Sequence, residues 1–228
     1  MLPLFSCGQE SGEVDGSSIS PSSEVHNLGV ILDSTLSFRT HIRSVTKSAF
    51  FHLKNISRLR SSLSDSVAET LIHAFVSSRL DYCNGVLFGL PKKDLDRLQY
   101  VQNSAARVLT RTKPWQHITP TLKRLHWLPV KDRISYKLLL CYKSLHGLAP
   151  HYLSDLLEDY VPQRSLRSSD LGLLTVRRGK RRSFGDRAFS AAAPALWNSL
   201  PLEIRRAKTL DTFKSSLKRH LFVNAFEI

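Results

Sequence analysis

Cysteine, paired carboxylates and long apolar runs are all scarce in this sequence, and each shortage excludes something. The three cysteines, Cys7, Cys83 and Cys141, lie far apart, and no two have CxxC or metal-ligand spacing. A sparse, odd count points to a reducing compartment and buried thiols, not to a disulfide framework. No apolar run approaches the roughly 18 residues that a membrane-spanning helix needs. The apolar start Met1-Leu2-Pro3-Leu4-Phe5 has no basic flank and is too short for a signal peptide. The expected location is therefore intracellular, nuclear or cytoplasmic. No GxxxxGK[ST], GxGxxG or GxSxG motif occurs, which removes the usual phosphate-loop, dinucleotide and hydrolase signatures.

Metal chemistry finds little support. Of the nine histidines, none sits at finger spacing from a cysteine or aspartate. Phosphoryl transfer to a 3′ hydroxyl needs acidic side chains holding two divalent ions roughly 4 Å apart. No two aspartates are adjacent anywhere in the chain. Asp94/Asp96 and Glu158/Asp159 are close pairs. The first is read as opening a helix, where negative charge suits the dipole, and the second as closing one. No catalytic residue, metal ligand or cofactor is expected.

What the sequence has is positive charge: 33 Lys+Arg against 19 Asp+Glu, net +14 at pH 7, with pI near 10.0. Residues 1–24 carry net −4, residues 25–110 net +5, residues 111–163 net +4 and residues 164–228 net +9. Such a field favours a polyanion, because each phosphate neutralised releases counterions. An acidic membrane surface is the competing partner.

Residues 1–24 are rich in Ser, Gly and acid and read as loop, with a short strand at Val14 or Ile19. Val25–Asp33 is the best strand candidate, a β-branched run with a glycine inside. After it the period is helical. Ile42, Val45, Ala49, Leu53, Ile56 and Leu59 form one stripe, with Lys47, Lys54, Arg58 and Arg60 off it. Ser64 suits an N-cap, followed by a stripe of Val67, Leu71, Ala74 and Phe75. Asn84-Gly85 and Gly89 break the chain, and Pro91 suits the next helix start. Leu95, Leu98, Val101, Ala105 and Val108 mark that helix. Thr119–Pro129 reads as a short helix, Arg133–His146 as a longer one capped by Asp132 and stopped by Gly147, and Pro150–Asp159 as another short one. Residues 161–185 lose periodicity and read as a long loop or a weak hairpin around Leu171–Val176. Two helices follow. One is interrupted by Pro194. The other is capped by Thr209 with Phe213, Leu217 and Leu221 inward.

Within Arg164–Arg187, five basic residues, Arg177, Arg178, Lys180, Arg181 and Arg182, fall in six positions. Arginine forks bind phosphate, and a glycine-containing loop lets them converge. Phe184 and Trp197 are candidate base stackers beside them. As a group, Trp115, Trp127 and Trp197 read first as core or interface anchors.

Four blocks together resemble the reverse transcriptase of LINE-type (non-LTR) retrotransposons, in the region after the catalytic palm. They are VHNLGVILDSTLSFRTHI, then SRLDYCNGVLFGLPKKDLDRLQYVQNSAARVLTRT, then WLPVKDRISYKLLLCYKSLHGLAPHYLSDLL, and finally FGDRAFSAAAPALWNSLP. They stand in the family's order and span nearly all of residues 14–224. The resemblance implies that Leu28, Gly29, Val30, Leu32 and Asp33 belong to the strand pair closing the palm, with Leu28, Gly29 and Val30 next to the primer grip. It implies that the following helices are a thumb that tracks a template–primer duplex. Asp81, Tyr82, Cys83, Asn84, Gln102, Asn103, Ala105, Ala106 and Arg107 match the family's thumb stretch. The family's aromatic-x-Asp-Asp turn lies upstream of LGV-x-LD and is not in this sequence; Asp33 is one lone carboxylate past it.

The expected fold is mainly α. A loop (1–24) precedes a small β-hairpin remnant of the palm end (25–38). A thumb-like helical bundle (39–113), a second helical segment (114–160) and a basic loop with looser C-terminal helices (161–228) follow. The expected function is that of a truncated remnant of an RNA-directed DNA polymerase, not an enzyme as it stands, with nucleic-acid binding as its residual activity; the parent enzyme would use Mg. The expected contacts are Arg177, Arg178, Lys180, Arg181, Arg182, Arg187, Arg107, Arg111 and Lys113. The expected partners are RNA or DNA, and a related chain carrying the palm, with no membrane and no small-molecule substrate. A helical protein-interaction adaptor with no nucleic-acid role is the alternative.

Overall fold

The computed structural model describes residues 12–14, 17–19, 22–162, 171–177 and 185–226. The described residues are mostly helical, preceded by short antiparallel hairpins, as the periodicity implies. Strands β1 (Gly12–Val14) and β2 (Ser17–Ile19) pair with each other, as do β3 (Glu24–Asn27) and β4 (Val30–Asp33). Helices α1 (Arg39–Leu59), α2 (Asp65–Ile72), α3 (Ser78–Asp81), α4 (Lys92–Thr110), α5 (Thr119–Arg124) and α6 (Val130–Leu139) follow. Then come α7 (Tyr142–Leu145), α8 (His151–Ser154), α9 (Phe189–Ser199), α10 (Leu202–Arg205) and α11 (Leu210–Phe226). The chain divides into two compact units, residues 1–41 and 42–228.

In the first unit the strand candidate Val25–Asp33 forms the expected small hairpin, β3–β4. The glycine inside the run is its turn: Leu28 and Gly29 both have positive φ, 45° and 78°. Two such residues make the tight turn whose twist matches antiparallel strands. After β4, Asp33 organises the descent into α1. Its carboxylate accepts from the backbone N–H groups of Thr35 (3.0 Å), Ser37 (3.0 Å) and Phe38 (2.7 Å) and from the hydroxyls of Thr35 and Ser37. Leu36 and Phe38 are held there at positive φ. His41, 5 % exposed, accepts from the Ile31 N–H through Nδ1 at 3.4 Å, and its burial pushes its pKa down, towards the neutral ring.

In the second unit Ile42, Ala49, Leu53 and Ile56 of α1 are buried as the stripe implies, but Leu59 is 58 % exposed and Arg60 takes its place. The Arg60 guanidinium donates to the Val108 and Leu109 carbonyls at the end of α4 (3.1 and 2.7 Å), to Leu63 O (3.0 Å) and to Asp65. A cation satisfying the last carbonyls of a helix is favoured by the dipole, and its five donors are nearly all used. Ser64 caps α2 as expected, accepting from the Val67 N–H at 3.3 Å.

The face of α2 differs from the expectation. Val67 and Phe75 are exposed, and the buried set is Ala68, Ile72, Val76 and Leu80. Steps of four drift off a 3.6-residue period. A π turn at His73–Ser77, closed by the Ser78 N–H on His73 O, brings them back to one face.

Helix α6 joins two sets of helices, packing on α4 and the Asn84–Leu87 turn and also on α9 and α11. Gln99 and Gln102 of α4 position its start. Gln102 donates to Leu128 O (2.8 Å), and Gln99 accepts from the Val130 N–H (2.9 Å). The helix expected over Arg133–His146 is broken at Leu140–Cys141. Asp132 lies in the first turn of α6, with burial pushing its pKa up, while Pro129 sits at the cap. Gly147, at φ +66°, ends α7 with Leu148 N–H on Lys143 O at 2.7 Å.

Tyr142 stacks on Phe213 (4.4 Å between rings) in a core that includes Trp197, Leu217 and Leu221, and its hydroxyl donates to Ala207 O at 2.8 Å. Thr209 caps α11, accepting from the Thr212 N–H at 3.2 Å. Helix α9 runs through the buried Pro194 without interruption.

Residues 157–159, expected at the end of a helix, are not helical. Tyr160 N–H bonds Leu173 O and Thr175 N–H bonds Glu158 O, so 171–177 pairs with 158–160 instead of folding on itself. Asn198 clamps both the N–H and C=O of Leu174 at 2.8 Å. Among the described residues no helix is long and apolar enough to cross a membrane.

Candidate nucleic-acid interface

Helix α4 ends at Thr110, and Arg111 turns the chain at φ +55°. The next residues form a short loop that Arg107 ties down from one turn back. Its guanidinium donates to the carbonyls of Lys113 and Gln116, the latter at 2.8 Å. Gln116 returns the tie, its Oε1 accepting from the Lys113 N–H at 2.9 Å and its own N–H reaching Lys113 O at 3.1 Å. With the backbone held, the side chains point out. Lys113 and His117 are exposed, and Trp115 is 79 % exposed. This overturns Trp115 as a core anchor. Trp127 and Trp197, at 5 % and 3 %, do anchor the interior.

Arg107 is thus a brace for this loop. Arg111 is exposed and donates to Arg60 O at 3.3 Å, so its backbone partner leaves most of its fork available. Lys113 presents its ammonium outward. Arg111, Lys113 and Trp115 therefore lie within five residues, two cations and one ring on a loop held by its own hydrogen bonds. Asp65, near Arg60 and Arg111, has its carboxyl held below the usual range, first by the Arg60 hydrogen bond and then by the two positive charges.

Of the basic stretch, Arg177 lies in the described residues, paired with Glu158, which holds its guanidinium charged; Glu158 stands four residues past the end of α8 at Ser154 and closes no helix. Arg178, Lys180, Arg181, Arg182 and Phe184 lie outside the described residues. Trp197 cannot stack on a base, because it is buried and its Nε1–H is given to Gly172 O at 2.9 Å. Arg187 lays its stem on Gly89, where an added Cβ would come within 2.8 Å of its Cγ.

Of the primer-grip-like residues, Leu28 is 83 % exposed at the hairpin tip beside Gly29, and Val30 is buried. Asp33 is wholly occupied by its loop. Burial raises its pKa, but the Thr35, Ser37 and Phe38 donors outweigh that and hold it well below the usual carboxylate range. Cys83 departs from the expected buried thiol: it is exposed and at φ +49°. Cys141 is buried, which pushes its thiol up to about 12.

Several of the residues 81–107 on which the resemblance rests hold the fold. Asp81 pairs with Arg133, Gln102 holds Leu128, and Arg107 braces the loop. Among the described residues no group of three or more His, Cys, Asp or Glu could hold a metal ion. No protein-family model, curated protein or solved structure matches the chain.

Proposed function

We propose that this chain binds nucleic acid through its helical unit, as the thumb-like, non-catalytic portion of a reverse-transcriptase-like protein. The observation that supports this best is the braced loop Arg111–His117, with an exposed tryptophan beside two exposed cations, Arg111 and Lys113. Bases of any sequence can stack on such a ring while the cations meet the backbone phosphates. The surrounding charge agrees. Residues 42–228 carry 32 basic and 14 acidic residues, net +18, whereas residues 1–41 carry net −4. Binding of this kind is salt-dependent and weakly sequence-specific. The 228 residues contain no two adjacent aspartates, and the role proposed for the chain is grip, not phosphoryl transfer.

Filter binding of single-stranded, duplex and hybrid ligands at several salt concentrations tests the reading. Trp115→Ala should weaken single-strand binding by about 1–3 kcal/mol, the worth of one stacked base. Lys113→Ala should lower the salt slope by about 0.7 on a single strand. Replacing Arg177, Arg178, Arg181 and Arg182 by alanine should shallow it further. Wild-type binding that ignores salt would instead favour the adaptor reading. Nucleotide incorporation by the pure chain on a primed RNA template with magnesium would overturn the non-catalytic assignment.

A further inference from the structure

Helix α1 buries one face and leaves the other to solvent. On the outer face Arg43, Lys47, Phe51, Lys54 and Arg58 follow one another at steps of four, four, three and four, and all five are exposed. Such steps keep to one side of an α-helix. The row runs opposite the buried stripe of Ile42, Ala49, Leu53 and Ile56. From Arg43 to Arg58 it is about 22 Å long, at 1.5 Å per residue.

Two properties set this row apart from an ordinary solvated face. The first is its single sign. A solvated helix face commonly mixes charges, because opposite charges four apart support the helix and like charges oppose it. Helix α1 contains no Asp or Glu, so Arg43–Lys47 and Lys54–Arg58 are like-charge pairs. None of the four cations has a side-chain hydrogen bond or ion pair among the described residues. The acids beside the two ends of the helix are engaged: Glu24 accepts from the Thr40 hydroxyl, and Asp65 is paired with Arg60. A polyanion laid along the row would relieve the repulsion. The second property is Phe51, which stands 64 % exposed between Lys47 and Lys54. Its ring meets His52 edge-on at 5.4 Å, and His52 stacks at 5.1 Å on Phe75 of the π turn, itself exposed. An exposed ring between cations suits a strand whose bases are free to stack. A duplex meets the row less well, because its bases face one another and its strands wind away from a straight helix.

The row also leads to the loop. Two residues past Arg58, the Arg60 carbonyl receives the Arg111 guanidinium at 3.3 Å, where the loop carrying Lys113 and Trp115 begins. We infer that the outer face of α1 binds single-stranded nucleic acid, its phosphates on Arg43, Lys47, Lys54 and Arg58 and a base on Phe51, and that the same strand continues onto the Arg111–His117 loop. This rests on the nucleic-acid reading of that loop and commits the partner to an unpaired strand, where the resemblance implies a duplex.

Fluorescence anisotropy of the full chain with one labelled oligonucleotide, as single strand and as duplex, tests it. Lys47→Ala/Lys54→Ala should lower the salt slope on the single strand by about 1.4, two contacts at about 0.7 each. Phe51→Ala should weaken single-strand binding about tenfold and leave the duplex unchanged. The three side chains are exposed, so these variants should keep the wild-type circular dichroism spectrum. A strand of about 16 nucleotides should bind more tightly than one of about 4, which is too short to cover row and loop together. An unchanged salt slope in the lysine variant overturns the inference, as does a Phe51→Ala loss that is absent or equal on duplex. Equal affinity for the two lengths overturns the shared track. Polyglutamate displacing the strand as effectively as unlabelled strand would assign the row to an acidic protein segment, and also overturns it. Trp115→Ala reads the loop separately. A loss there with none in the α1 variants sinks the row and leaves the loop standing, and a loss in the α1 variants with none there does the reverse.

Discussion

At the scale of single residues, the side chains that matter most are polar ones that the hydrophobic pattern passes over. Asp33 carries five hydrogen bonds in a loop with two residues at positive φ. Asp33→Ala should destabilise the hairpin unit by about 1–3 kcal/mol, the cost of leaving such donors without their acceptor. The pH dependence follows from the depressed pKa. Folded Asp33 stays ionised below the unfolded value of about 3.9. Its contribution is therefore fully present above the unfolded pKa and is lost as pH falls through the lower folded value. Hydrogen exchange of the Ser37 and Phe38 amides should show a wild-type advantage that is constant at neutral pH and shrinks in strong acid. An advantage that grew on acidification would contradict the assignment. Arg60 and Trp115 teach the same lesson in opposite senses. A charged side chain at a helix end can be buried when helix carbonyls await it, and an aromatic can be exposed when its loop is braced from elsewhere. Neither follows from counting apolar positions, because each depends on a partner elsewhere in the chain: Val108 and Leu109 for Arg60, Arg107 for the loop of Trp115.

At the scale of elements, local signals were good guides wherever the chemistry was local. Ser64, Thr209 and Gly147 act as the caps and stop that their residue types imply, and the α1, α4 and α11 stripes face inward largely as spaced. The α2 face was missed because its apolar residues step by four, a spacing that fits an α-helical face only with the π turn. The break at Leu140–Cys141 and the pairing of 158–160 with 171–177 were missed because they are set by packing and by Asn198, not by breakers in the sequence. The glycines give a graded test. Gly147 is at φ +66° with open space where a methyl group would stand, so Gly147→Ala should cost only the backbone penalty, about 1 kcal/mol. Gly89 is at φ +70° and also touches the Arg187 stem, so Gly89→Ala should cost more. Thermal melts of the two variants check the order; equal losses would mean that Arg187 yields freely.

At the scale of the whole molecule, the charge is divided along the unit boundary: net −4 in residues 1–41 and net +18 in residues 42–228. The excess first traced to the last quarter of the chain thus belongs to the entire helical unit. Self-repulsion on that scale opposes compactness and is screened by salt, with a Debye length of about 10 Å at 0.1 M. Raising the salt from low to moderate concentration should therefore raise the melting temperature of the helical unit while weakening nucleic-acid binding. A melting temperature that fell with salt would show that attractive ion pairs such as Arg133–Asp81 outweigh the repulsion.

The unequal placement of the three tryptophans has an optical consequence. Trp127 and Trp197 are sealed in the interior, while Trp115 stands in water on its loop. The native chain therefore carries its own spectroscopic reporter. Its long-wavelength emission should come chiefly from Trp115 and should be quenched first by acrylamide. A strand stacking on that ring would shield it from the quencher and leave the shorter-wavelength light of Trp127 and Trp197 as it was. Occupancy of the loop could then be followed by colour, without attaching a dye.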